Sequence, residues 1–288
     1  MDSISIKARA KINLAISVIG KRADGYHELD MLMQSLSLSD IITITKVNKP
    51  GYGVKLSSTA VGLPTDAKNL AYRAADYMIK EYSLPCGLFI HISKKIPISA
   101  GLGGGSADCA AVLNGVNELF SLSVTPEKLA EIGFRFGSDV PFCVMNGFCR
   151  AEGVGERLTK LEPLGRVKVL LIRPQVSVPT PEIFTSYDNI DPPAQPDILS
   201  VIEAIKSNGV KAASVLFKNS LEAVTIKKHP IIANIKEFML RRGAFVSLMS
   251  GSGASVFGLF DDGTSVVSAA NSARAAFPRA DVINTSFQ

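Results

Sequence analysis

Apolar and polar positions alternate from the start of the chain: Ile4, Ile6 and Ala8, then Ile12, Leu14, Ile16 and Val18, and again Ile42 and Ile44. A period of two is that of a strand, so residues 3 to 60 read as strand-rich. The period then changes. Thr65 or Asp66 is placed to cap a helix running through Met78 and Lys80, after which Leu88, Ile90 and Ile92 alternate again. Beyond a run of glycines, Cys109, Val112, Leu113, Val116 and Phe120 recur at three- and four-residue intervals, the stripe of an amphipathic helix that starts at the glycines. Thr125-Pro126-Glu127 supplies a cap, a first-turn proline and an early acid for a further helix, expected to stop at Gly137. Asp139 follows in Gly-Ser-Asp-Val-Pro, where Pro141 discourages helix continuation and leaves the carboxylate on a connecting turn.

The second half mixes the two periods. Val167 to Ile172 is strand-like, Thr180-Pro181-Glu182 opens a helix, and the prolines of 191–196 mark a loop. Helical segments are expected near 197–207, 211–226 and 230–242, then strand, glycine turn and strand from Val246 to Phe260, a helix near 264–277 and a last strand. The whole is α+β, divided near residue 160 into domains 1–160 and 161–288. With 288 residues, 47% hydrophobic and 20% charged, each half can bury a core of its own.

Residues 97 to 107, Pro97-Ile98-Ser99-Ala100-Gly101-Leu102-Gly103-Gly104-Gly105-Ser106-Ala107, stand between a strand and a helix start. Glycines allow positive φ and close backbone approach, and a helix start offers unpaired N–H groups, so the segment reads as an anion loop with phosphate its natural guest. A P-loop would close on Lys-Ser/Thr, which is absent here; a dinucleotide fingerprint counted from Gly101 would need glycine where Ser106 stands. What remains is a loop that binds mainly through backbone N–H groups, with Ser106 in reach.

Charge and cysteines narrow the partners. The 31 basic and 26 acidic residues leave +5, which suits a small polyanion, and the basic residues are scattered, with no aromatic-interleaved stripe to bind nucleic acid. No apolar run reaches the ~20 residues that span a bilayer. The N-terminal residues read as a strand and not as a signal segment, so a cytoplasmic enzyme is expected. Cys86, Cys109, Cys143 and Cys149 have neither zinc nor disulfide spacing and are expected as reduced thiols.

Three segments together resemble one family. Ala10-Lys11-Ile12-Asn13-Leu14, the glycine loop from Pro97, and Ser250-Gly251-Ser252-Gly253-Ala254 are similar to the three signatures of the GHMP kinases, which phosphorylate small-molecule alcohols from ATP. Lys21 to His27, Gly137 to Phe142 and Ala151 to Glu156 resemble the branch of that family whose alcohol carries a cytidine diphosphate. The resemblance runs from residue 8 to about 260 and implies a ribosomal-S5-like N-terminal domain and a ferredoxin-like C-terminal domain.

The resemblance also implies roles. A hydroxyl that attacks a γ-phosphoryl group must lose its proton, and Asp139 is the implied base, with Lys11 paired to it and stabilising the substrate oxygen. Read without the family, Asp139 is equally a turn residue bonding its own backbone, and Lys11 either snorkels or pairs with a carboxylate. Residues Pro97 to Ala107 are implied to hold the ATP phosphates, and Asn69, Leu70 and Lys94 to lie near the adenine; Lys94 could otherwise be solvated. Asn13, on the face of Lys11, is implied to meet the alcohol hydroxyls. Tyr26, His27 and Phe184 suit a cytosine, with Thr180 either capping its helix or touching the nucleotide. Gly251, Ser252 and Gly253 would cover the phosphates or simply join a hairpin. Asp108, where the family carries a small polar residue, reads as a complement to the helix dipole more than as a magnesium ligand. Magnesium is expected as the neutraliser of the triphosphate, with no ligands assigned.

Overall fold

Alternation sets up the first strand but does not persist through it. The computed structural model describes residues 2–288. In β1 (Ser3–Lys21) the apolar residues alternate up to Ala8, and from Ala10 to Val18 both faces are buried, so every side chain there needs a partner. A turn at Asp24-Gly25, closed by the Arg22 N–H on the Tyr26 carbonyl at 2.8 Å, leads into β2 (His27–Val47). Next come β3 (Val54–Ser58), α1 (Leu70–Glu81), β4 (Gly87–Ser93), α2 (Gly104–Leu119), α3 (Pro126–Phe134) and α4 (Val140–Met145). They are followed by β5 (Phe148–Gly153), β6 (Arg157–Lys160), β7 (Lys168–Arg173), α5 (Thr180–Tyr187) and α6 (Ile198–Ala213). The chain ends with α7 (Glu222–Lys228), α8 (Ile231–Arg241), β8 (Val246–Met249), β9 (Val256–Phe260), α9 (Gly263–Ala276) and β10 (Asp281–Ser286).

Two compact units result. The first gathers residues 2–10, Leu38–Ile98 and Gly103–Asn146. Here the end of β2 runs antiparallel to β4, pairing Ile42 with Ile92, and β3 lies parallel to β4, pairing Leu56 with Ile90. Ala71, Ala74 and Ala75 on α1 and Ala107, Ala110 and Ala111 on α2 are buried small residues that let these helices approach closely, and Val112, Leu113 and Val116 on α2 are buried in the same unit as Ile42, Ile44 and Ile90.

The second unit comprises Lys11–Ser37, Ser99–Leu102 and Gly147–Gln288. The first half of β2 pairs with β5, Met33 facing Cys149, and β5 pairs with β6. A four-stranded antiparallel sheet, ordered β10-β7-β9-β8, carries a core in which Leu170, Ile172, Val256 and Phe260 meet Ile183, Ile232, Ile235, Met239, Val266 and Ala270. The α+β class follows from both units.

Three local readings of the sequence are corrected. The cap of α1 is Asn69, whose Oδ1 accepts the Ala71 N–H at 2.9 Å; Asp66 instead caps its own turn by accepting the Lys68 N–H at 3.0 Å. Pro141 starts a helix and does not stop one, because it occupies the first turn of α4, where a missing N–H costs nothing. The single helix expected over 211–226 is interrupted. Ile16 N–H bonds the Lys218 carbonyl at 2.9 Å and Ser220 N–H bonds the Ile16 carbonyl at 3.1 Å, so β1 takes the backbone groups a helix would have used.

Candidate active site

In the first unit the glycine run ends as a helix start left open. Gly103 is the N-cap of α2 in the left-handed conformation (φ 68°, ψ 19°), and no side chain caps the helix. The space beside Gly105 is empty to 4 Å around the position of a Cβ, whereas a Cβ on Gly104 would lie 3.0 Å from Lys94 Nζ. Among the described residues no side chain caps this turn, so its N–H groups and partial positive charge are presented at an open helix start. Gly137 runs alongside: a Cβ there would stand 4.0 Å from Ser106 Oγ, which brings the Gly137-Ser138-Asp139 turn next to the start of α2. Asp139 is half-buried at the N-cap of α4 and makes no side-chain capping bond to that helix.

Beneath α2, Lys94 is sealed and not solvated. Its ammonium meets Asp40 and, at 3.1 Å, Asp108, with the three side chains 5%, 0% and 3% exposed. Burial, opposed by Lys94 and reinforced by the neighbouring Asp40 carboxylate, pushes the Asp108 carboxyl up to about 8. Asp108 therefore belongs to a buried charge cluster, a role larger than a complement to the helix dipole. Asn69 is likewise committed: besides capping α1 through Oδ1 it donates from Nδ2 to the Pro64 carbonyl at 2.7 Å, and Leu70 follows as the first helical residue.

In the second unit the three sequence signatures meet. Lys11 N–H bonds the Leu102 carbonyl at 3.0 Å, Ser250 Oγ donates to the Gly101 carbonyl at 3.0 Å, and Ser255 N–H donates to the Ala100 carbonyl at 3.2 Å. Lys11 and Asn13, 4% and 1% exposed, share a face of β1, with Nζ donating to Asn13 Oδ1 at 2.9 Å. A Cβ on Gly251 would lie 3.6 Å from Lys11 Nζ and 3.8 Å from Asn13 Oδ1. The Gly251–Gly253 turn is braced by residues that local reading of the sequence does not single out: Asn219 Nδ2 donates to the Met249 and Gly251 carbonyls, both at 2.8 Å, and Thr225 Oγ1 to the Ser252 carbonyl at 3.2 Å. Thr180 does not cap its helix, Pro179 being the N-cap; its hydroxyl bonds Ser252 Oγ at 2.8 Å.

The aromatic residues of this unit also gather. His27 stacks on Phe184 with centroids 4.7 Å apart, too close to admit a third ring between them, and Tyr26 beside it is 64% exposed. His27 Nε2 lies 2.6 Å from Asp188 Oδ1, and Lys21 Nζ 2.7 Å from Asp188 Oδ2. Bonding to Lys21, then to His27, holds the Asp188 carboxyl below its ordinary value, so it is the acceptor and His27 Nε2 the donor. Arg22, on Asp24 and on Glu28 at 2.9 Å, together with Arg157 on Glu28 at 2.6 Å, pins the turn that carries Tyr26.

Comparison with known proteins shows the family of the chain. Residues 69–147 match the GHMP kinases N terminal domain and residues 201–279 the GHMP kinases C terminal domain. A 4-diphosphocytidyl-2-C-methyl-D-erythritol kinase of Acetivibrio thermocellus is 44% identical over 91% of this chain and 92% of its own. The chain belongs to this kinase family. A crystal structure of a 4-(cytidine 5'-diphospho)-2C-methyl-D-erythritol kinase superposes with a TM-score of 0.83 at 33% identity, covering 99% of this chain and 100% of that one. The homoserine kinase of Cytophaga hutchinsonii, with a TM-score of 0.74 at 20% identity over 99% of this chain and 94% of its own, shares the fold. The protein is accordingly a GHMP small-molecule kinase with the two-domain α+β fold of that family. Among the described residues no helix is long and apolar enough to cross a membrane.

Proposed function

We propose that the protein transfers the γ-phosphoryl group of ATP to the 2-hydroxyl of 4-diphosphocytidyl-2-C-methyl-D-erythritol, a step toward isoprenoid precursors in the cytoplasm. The observation that carries this reading is the uncapped glycine start of α2 lying alongside the Asp139 turn, which sets phosphate-binding N–H groups and a candidate base together in one unit. The ATP phosphates occupy the loop from Pro97 to Ala107, held by backbone N–H groups and the Ser106 hydroxyl. Adenine lies toward Asn69, Leu70 and Lys94; since the Asn69 and Lys94 side chains are committed within the protein, they act there by shape and backbone.

Asp139 accepts the proton of the attacking hydroxyl, and Lys11 stabilises the oxygen as its charge develops. Asn13 orients the alcohol, and Gly251, Ser252 and Gly253 close over its phosphates. Magnesium would supply neutralisation of the triphosphate. Among the described residues no group of three His, Cys, Asp or Glu side chains forms a metal cage, so the chain's own donor set fits a metal only if it arrives with the nucleotide, held mainly by phosphate and water. No step is assigned to it.

Cytosine stacks against Tyr26 on the outer side of the His27–Phe184 pair, and His27 meets the edge of the base, while Thr180 supports the closing turn through Ser252. The Asp188 bond that orients this ring through Nε2 gives a direct test. Asp188→Asn should raise KM for the cytidine substrate by roughly ten-fold, the loss of a charge-assisted bond worth ~1.5 kcal/mol, and leave KM for ATP unchanged. Equal shifts in both constants would remove the cytosine role of this corner.

A further inference from the structure

Three ionisable side chains lie sealed under the start of α2, and phosphoryl transfer as assigned above makes no use of their charge. Asp40 binds the Lys94 ammonium and accepts the backbone N–H groups of Lys95 and, at 2.8 Å, Ile96, the residues that lead into the phosphate loop. Lys94 Nζ reaches Asp108 at 3.1 Å and lies 3.0 Å from where a Cβ on Gly104 would be, so the cluster touches the first turn of α2. Asp108 Oδ1 is buried with no hydrogen-bond partner. With both carboxylates ionised the cluster carries one net negative charge in a buried site, and an unpaired oxygen in addition. A proton on Asp108 removes the net charge and turns that carboxyl into a donor beside Asp40.

Little else sets its charge. On α2 the adjoining Cys109 thiol is held protonated by burial; from α1 Arg73 acts on that thiol; Asp139 opens α4, and the charged residues of α3, Glu127, Lys128 and Glu131, are exposed. A negative Asp108, in the second turn of α2, competes with an incoming polyphosphate for the same positive helix end. We propose that Asp40, Lys94 and Asp108 form one positioning cluster for the phosphate loop that carries a single proton, and that ATP binding is coupled to this proton. It rests on the loop being the ATP site. When ATP binds to the deprotonated cluster, one proton passes from solvent to an Asp108 oxygen and no other bond changes.

The test is calorimetric titration of ATP with magnesium from pH 6 to 9.5, in two buffers of different ionisation heat, for the natural chain and Asp108→Asn. The natural chain should lose roughly ten-fold in affinity between pH 7 and pH 9 and take up as much as about one proton per ATP at the upper end, whereas Asp108→Asn should show neither. Because free ATP titrates identically in both, the difference isolates the cluster. Identical proton uptake in the two proteins overturns the proposal, and failure of both to bind ATP at any pH overturns the loop reading itself.

A purely structural role would not move proton uptake. Stability supplies the second readout. With the Asp108 carboxyl raised from 3.8 to about 8 in the folded chain, the bound proton contributes stability that is complete below pH 3.8 and lost as pH rises to about 8. Asp108→Asn should flatten the fall of the denaturation midpoint over that interval; an unaltered slope counts against a proton on Asp108.

Discussion

Asp139→Asn should bind ATP within a few-fold of the natural affinity and turn over ~10²–10⁴ times more slowly, the usual worth of a positioned general base. The substitution keeps size and removes the proton acceptor. It should also leave α4 in place, because Asp139 makes no capping bond to that helix and Pro141 starts it, which a thermal melt checks. Burst and steady-state measurements would place the loss in the chemical step, with kcat and kcat/KM falling together. Turnover within a few-fold of the natural rate would remove Asp139 as the base, since no other group has been assigned to take that proton.

Gly101→Ala should fail for a different reason. A Cβ at Gly101 would lie 2.6 Å from the Ser250 carbonyl oxygen and 2.7 Å from that of Gly253, and the residue has φ +74°. Both contacts are to backbone, which cannot rotate aside as a side chain can. Separation of the two loops would also break the bond from Ser250 Oγ to the Gly101 carbonyl. The combined strain is about 2–4 kcal/mol, enough to lower the denaturation midpoint clearly and to disturb the turn facing Lys11 and Asn13. Gly105→Ala is the contrast: its Cβ meets nothing within 4 Å, so it should fold as well as the natural chain while weakening ATP binding. Equal denaturation midpoints for Gly101→Ala and the natural chain, measured by thermal melts, would contradict this packing of the two glycine turns.

The strands and most helices are legible in the sequence because their signals are local. Alternation at Leu88, Ile90 and Ile92 predicts β4, the stripe from Cys109 to Val116 predicts α2, and Thr125-Pro126 marks the start of α3, whose cap Thr125 accepts the Lys128 N–H. Failures occur where a distant segment claims the backbone. Residues 217–220 lose their helix to β1, and the bracing of the Gly251–Gly253 turn by Asn219 and Thr225 has no local signature at all. Units built from three separate stretches of chain are equally invisible to a reading that moves along it.

The site was legible in part. Glycine spacing reads as an anion loop, and the two-residue step from Lys11 to Asn13 places both of those side chains on one strand face, where their contact at 2.9 Å is found. The glycines alone could not specify a kinase, because nothing in their spacing states the acceptor; the ordered set of three signatures did that, and the family comparisons bear it out. Lys94 was half legible. A charged residue after a strand reads as solvated unless its partners are known, and Asp40 lies 54 positions away in sequence.

ATP consumption by the purified protein with magnesium, compared across 4-diphosphocytidyl-2-C-methyl-D-erythritol, homoserine and mevalonate, tests the central claim most directly. Strong turnover with the first alone, its product carrying a new phosphate on the 2-hydroxyl, is the result expected from the Asp139 turn, the open start of α2 and the His27–Phe184–Asp188 corner. Preferential turnover of homoserine or mevalonate would contradict the cytidine assignment, and no turnover of any of the three would contradict the proposed reaction.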